Sequence, residues 1–271
     1  YYAMMLVILT PIYFFARLQR YKLKHIVRPL LGGSLAFILI AVILVGPFLI
    51  PHFALHSTDS TTVPLDEAAF WAADITSFLI PNPRNFLWGD LVQAYLTPFT
   101  DGLPYEYILG FGYISLILAL YGWRHASKDL KTGWRWWFWA ALLLSLGPVL
   151  KILNHVVAIP FPHDLVAGYN SFLNWIGLHS LAGETFSLAN PDRLVITGPA
   201  LFARWFIPGL ADLRSWGRFA FLAAMAVAVF AGFGFDHFLR HEIKSGRYGV
   251  RWAMVIVVTL VLFEFYPGPA Q

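Results

Sequence analysis

The stretch Ile207-Pro-Gly-Leu-Ala-Asp-Leu-Arg-Ser-Trp-Gly-Arg218 runs straight into Phe219-Ala-Phe-Leu-Ala-Ala-Met-Ala-Val-Ala-Val-Phe-Ala-Gly-Phe-Gly-Phe-Asp236. The second half is apolar for long enough to cross a bilayer as a helix, which takes roughly 20 residues. Arg214 and Arg218 stand at its start, where lipid headgroups sit. Four residues apart on a helix they project from one face, and guanidinium forks match phosphate oxygens in a way lysine does not. The stretch therefore predicts a spanning helix with an anion-binding threshold. The plainer alternative is that both side chains snorkel to ordinary headgroups as anchors.

The rest of the chain has the same apolar character. Hydrophobic residues make up 58% of it and charged residues 13%, with a mean hydropathy of +0.63. Soluble domains carry roughly 25% charged residues. Apolar runs cover Tyr1 to Ala16, Leu30 to Ile50, Tyr107 to Trp123, Trp136 to Leu150, Phe219 to Leu239 and Val250 to Tyr266. They predict an all-α fold: a polytopic transmembrane helical bundle of six spans, forming a single membrane domain over residues 1–271. The first run begins without an initiator Met and the last is followed only by Pro-Gly-Pro-Ala-Gln. The chain thus reads as an internal piece of a longer protein.

Loops rich in Lys and Arg stay on the cytoplasmic side. Segments Arg17 to Arg28, Arg124 to Arg135 and Arg240 to Arg251 hold 13 of the 19 basic residues. They alternate with two long connections, 51–106 and 151–218, which are predicted to face outward and to carry interfacial helices. The first connection has Arg84 as its only basic residue against seven acids. The pI near 9.3 reflects this bias and gives no support for nucleic-acid binding. No cysteine is present, which excludes disulfide and thiol chemistry in this stretch.

Within the first connection, Pro64 suits a first helical turn, and Asp66 and Glu67 suit the positive end of a helix dipole. A helix continuing to Leu79 would place Glu67 and Asp74 on one face. There they could present a general base or a ligand for a divalent cation, or simply a solvated polar face. Pro81-Asn-Pro-Arg84 stops that helix, and Phe86, Leu87 and Trp88 read as interfacial anchors. His52 and His56, with Asp59 behind them, have a spacing that suits zinc only on a helix, and Pro51 argues for a loop. No metal site is assigned. In the second connection, Leu194 to Phe206 reads as a surface helix that carries Arg204. With Arg193, Arg204 could complete a basic cluster beside Arg214 and Arg218, unless Glu184, Asp192 and Asp212 pair with them locally. Glu264 falls near the outer end of the last span, within reach of the interface.

Asp74-Ile-Thr-Ser-Phe-Leu-Ile-Pro-Asn-Pro-Arg-Asn-Phe-Leu-Trp-Gly89, Leu146-Gly-Pro148, Pro208-Gly-Leu-Ala-Asp-Leu-Arg-Ser-Trp-Gly-Arg-Phe219 and Ala231-Gly-Phe-Gly234 resemble the landmarks of large bacterial membrane proteins grouped with the GT-C glycosyltransferases. The resemblance implies a multi-pass enzyme of the bacterial cytoplasmic membrane and cell envelope. Such an enzyme transfers a sugar from a polyprenyl-phosphate donor to an acceptor at the outer face. On that reading Arg214, Arg218, Arg204 and Arg193 are lipid-phosphate ligands, and the catalytic acid lies upstream of this stretch. No cofactor is assignable, although a divalent cation is compatible. A transporter or flippase for a lipid-linked or polymeric substrate is the rival. It would need ionisable residues inside several spans, and the mid-span positions are nearly free of charge. A structural membrane subunit without chemistry is the third reading.

Overall fold

The computed structural model describes residues 2–18, 63–96, 109–175, 192–207, 210–244 and 250–266. In chain order the helices are α1 (Tyr2–Leu18), α2 (Leu65–Phe70), α3 (Gly89–Leu96), α4 (Tyr113–His125), α5 (Lys128–Ser145), α6 (His163–Trp175), α7 (Pro199–Phe206), α8 (Phe219–Lys244) and α9 (Val250–Phe265). Among the described residues, four short strands lie between α5 and α7: β1 (Lys151–Ile152), β2 (His155–Val156), β3 (Ala158–Pro160) and β4 (Arg193–Val195). The described residues are thus mostly helical, and five of the six apolar runs are helical over most of their described length. The sixth run, Leu30 to Ile50, lies outside the described residues, as do His52, His56 and Asp59.

Among the described residues one helical stretch, Trp216–His241, is long and apolar enough to cross a membrane. The other four long helices are shorter or more polar. The basic segment expected as a loop at Arg124 to Arg135 is mostly helix. Only Ala126 and Ser127 separate α4 from α5, because lysine and arginine are good helix formers and place no break there.

α8 is the centre of the fold, and its Ala-rich start buries Phe219, Ala220, Ala223, Ala226, Val227 and Phe230. α4 runs parallel to it at backbone contact. A Cβ at Gly122 would lie 1.9 Å from the Phe230 carbonyl, and one at Gly234 would lie 2.1 Å from the Leu118 carbonyl. Only glycine on both helices allows that approach, which gains dispersion contact along both backbones. On another side, the Trp137 indole of α5 donates to the Leu222 carbonyl at 2.9 Å. α1 packs on α5 through Tyr13, whose ring meets Trp134 and Trp137 edge-on.

α9 is held to α4 at its C-terminal end. The Glu264 carboxylate accepts backbone N–H groups from Tyr113, Ile114 and Ser115. These are unpaired donors at the start of α4, where the helix dipole favours a negative charge. The residue expected near an interface is therefore the cap of a neighbouring helix.

The two expected outer connections fold differently from expectation. α2 ends at Phe70, and a separate 3-10 turn follows at Thr76–Phe78. Lys151 to Val156 is a two-residue hairpin with Leu153 and Asn154 at φ 49 and 63, the backbone twist of a type I′ turn. β3 and β4 pair antiparallel, with Ile159 opposite Leu194. The helix expected from Leu194 starts only at Pro199, since the β-branched Val195-Ile-Thr197 favours extended chain and proline suits a first helical position. The all-α expectation is corrected to that extent.

Candidate functional site

Everything expected at the start of α8 rests on a junction of short segments. Gly147, at φ +72, ends α5 in the left-handed conformation that glycine adopts freely. Just before it, the Ser145 carbonyl accepts the Ala73 N–H at 2.8 Å. The Trp71 carbonyl accepts the Gly217 N–H at 3.1 Å, and the Pro148 carbonyl accepts the Gly198 N–H at 2.9 Å. Trp216, fully buried, stacks on Phe219. The Leu146-Gly-Pro148 and Arg214 to Phe219 landmarks, distant in sequence, meet here around Ala72.

On the surface of this junction stands Arg214. Its Nε lies 2.8 Å from a Glu67 carboxylate oxygen, and its guanidinium carbon sits 4.7 Å from the centre of the Trp71 ring. The guanidinium is half-exposed, with one face on an aromatic ring and one edge on a carboxylate. Such a group has its orientation fixed while donors remain open to solvent. Arg218 lies on the 3-10 turn Trp216–Arg218 and is half-buried. Arg214 precedes that turn, so the two are not on one α-helical face as the spacing suggested.

The other expected members are placed elsewhere. Arg204 on α7 is buried, and its terminal nitrogens donate to the carbonyls of Ala211 and Val63. It clamps three chain segments together instead of joining an exposed basic cluster. Arg193 is exposed on β4, opposite Pro160. Its neighbour Asp192 lies 3.7 Å from the His163 imidazole.

Glu67 and Asp74 also separate. The helix that should have carried both stops between them, which leaves Glu67 at the surface and Asp74 buried. Asp74 accepts from the Thr76 N–H at 2.7 Å, the Thr76 hydroxyl at 2.5 Å and the Asn154 N–H at 2.6 Å. Both of its oxygens are engaged, so it acts as a tie between the 3-10 turn and the hairpin, and the shared acidic face does not exist.

Sequence reasoning passed over two members of this junction. Trp71 is the platform under Arg214. Lys151, taken as a loop boundary, is buried and donates to the Phe70 carbonyl at 3.1 Å. Burial lowers its pKa to about 7, against the opposing pull of Asp74. One signal could have found it: Lys151 is the only lysine between Lys131 and Lys244, in a connection predicted to avoid lysine. Among the described residues, no group of three His, Cys, Asp or Glu side chains is placed to hold a metal ion.

No family model, no curated protein and no solved structure matches the chain, and its own residues carry the functional reading.

Proposed function

We propose that this chain is part of a multi-pass membrane glycosyltransferase of the GT-C type. On this reading the five described long helices and the Leu30 to Ile50 run make six crossings, and the junction lies at the outer face. The enzyme takes a sugar from a polyprenyl-phosphate donor and passes it to an acceptor outside the membrane. The observation that supports it is the state of Arg214, a cation held by Trp71 and Glu67 at the start of the helix able to span the bilayer. An exposed ion pair is worth only about 0–1 kcal/mol. The donor's anionic phosphodiester can therefore take the place of Glu67 at little cost and gain charge-assisted hydrogen bonds that strengthen as it leaves as the monoester dianion. Arg214 would hold the donor phosphate and stabilise it as the leaving group, with Arg218 contributing field from the adjacent turn. Arg204 keeps a supporting role, since it fixes the segment leading into the junction. Among the described mid-helix positions ionisable side chains are nearly lacking, which favours transfer at the surface over passage through the bundle.

The test is binding of polyprenyl phosphate to the full-length protein in detergent, with Arg214→Gln and Arg218→Gln combined. The expected result is a loss of at least tenfold in affinity with an unchanged melting temperature. Unchanged affinity in the folded double variant overturns the assignment.

A further inference from the structure

We propose that the cleft between α4, α8 and α9 holds one acyl chain of an anionic phospholipid, with its phosphate at Arg84. The cleft measures about 510 Å³, within the roughly 300–1,000 Å³ range of small-molecule sites. Its walls include Phe111, Ala228, Val258 and Phe265, and among the described lining residues Ser115 is the one whose side chain has a polar atom. Ordered water needs two to four polar partners, so the occupant is apolar.

The shape selects a chain. Lining residues on α8 extend from Ala224 to Phe235, which at a 1.5 Å rise is about 16 Å. One leaflet of a bilayer whose hydrocarbon core is about 30 Å thick offers roughly 15 Å. A single acyl chain therefore fills the slot, whereas most of a long polyprenyl chain would remain outside. The slot runs along the described helix that is long and apolar enough to cross a membrane, where acyl chains would be its surroundings.

The charge at one end selects the headgroup. Segment Ile80 to Asn85 crosses the end of the cleft. A Cβ on the lining residue Gly110 would lie 2.4 Å from the Ile80 carbonyl. The Asn85 amide donates to the carbonyls of Phe263 and Glu264 at 3.2 and 2.6 Å, next to the lining residues Leu262 and Phe265. Arg84, exposed and adjacent to Asn85, is the only Lys or Arg between Arg28 and Arg124. A cation carried on the segment that borders one end of an apolar slot complements an amphiphile with an anionic head. This inference stands independently of sugar transfer.

Native mass spectrometry of the purified full chain, titrated with phosphatidylglycerol or phosphatidylcholine, tests it. Wild-type protein is expected to retain one phosphatidylglycerol at lower concentration than phosphatidylcholine. Gly232 lines the slot, and a Cβ there meets nothing within 4 Å. Gly232→Phe should weaken retention at least tenfold without lowering the melting temperature, and Ala228→Leu serves if the first variant does not fold. Arg84→Gln should keep binding but lose the preference for phosphatidylglycerol. Undiminished retention in a folded slot-filling variant, equal binding of both phospholipids to wild type, or displacement of phosphatidylglycerol by equimolar polyprenyl phosphate would each overturn the proposal.

Discussion

Lys151 sits beside an aspartate whose oxygens are already occupied, so burial leaves it little to gain from its charge. Its pKa is about 7 in the folded chain and near 10.5 when exposed. Between those values the unfolded chain binds the extra proton, and stability rises with pH across the window. Below about pH 7 the protonated lysine destabilises the fold in full; above about 10.5 the cost is gone. Lys151→Met removes the titrating group. The gap in melting temperature between the variant and wild type in detergent should therefore be largest in favour of the variant below pH 7 and shrink towards pH 10. A gap independent of pH would show that Lys151 keeps its ordinary pKa. Arg204 answers differently. Arg204→Ala leaves the carbonyls of Val63 and Ala211 without that donor, and an unsatisfied buried group costs about 1–3 kcal/mol. A lower melting temperature at every pH is expected, and an unchanged one would mean water replaces the guanidinium. In sequence, Arg204 and Arg214 look alike, as arginines in an apolar setting. Which of them meets backbone carbonyls and which meets a tryptophan face depends on residues more than a hundred positions away, such as Val63 and Trp71. Spacing carries no record of that.

Among elements, the long helices were legible because hydrophobic length survives any detail of packing, whereas the short segments were not. The hairpin at Lys151 to Val156 buries little and exists through the Asp74 tie to Asn154, and β4 forms because β3 is there to pair with it. Both are decisions of tertiary contact that override local propensity. The glycines of α8 show the same division. Ala231-Gly-Phe-Gly234 reads as two equivalent small residues, yet only Gly234 meets another backbone. Gly234→Ala must push α4 from α8, and overpacking of this kind costs typically about 1–3 kcal/mol. Gly232→Ala adds a methyl in open space and gains helix propensity of about 1 kcal/mol. Thermal unfolding in detergent should fall for the first and hold or rise for the second. Equal effects would mean that the contact at Leu118 yields easily.

For the whole molecule, the charge bias and the junction make a joint claim about sides. Basic residues flank the connection between α4 and α5, whereas the long connections join near Trp71 at the opposite ends of α5 and α8. If the short basic turns are cytoplasmic, α6 and the junction face outward together. Cysteine is absent from residues 1–271, so labelling above the level of the unsubstituted protein reports one introduced thiol. Ser127, between α4 and α5, and Ser171, on α6, are both exposed, so neither substitution disturbs a packed contact. With a membrane-impermeant maleimide on intact cells producing the full-length protein, Ser171→Cys should label and Ser127→Cys should label only after permeabilisation. The reverse pattern would place Arg214 on the cytoplasmic side and remove the outer-face transfer reading. Labelling of both thiols in intact cells would show that no bilayer separates the ends of α5, and the apolar face of α8 would then have to be covered by protein instead of lipid.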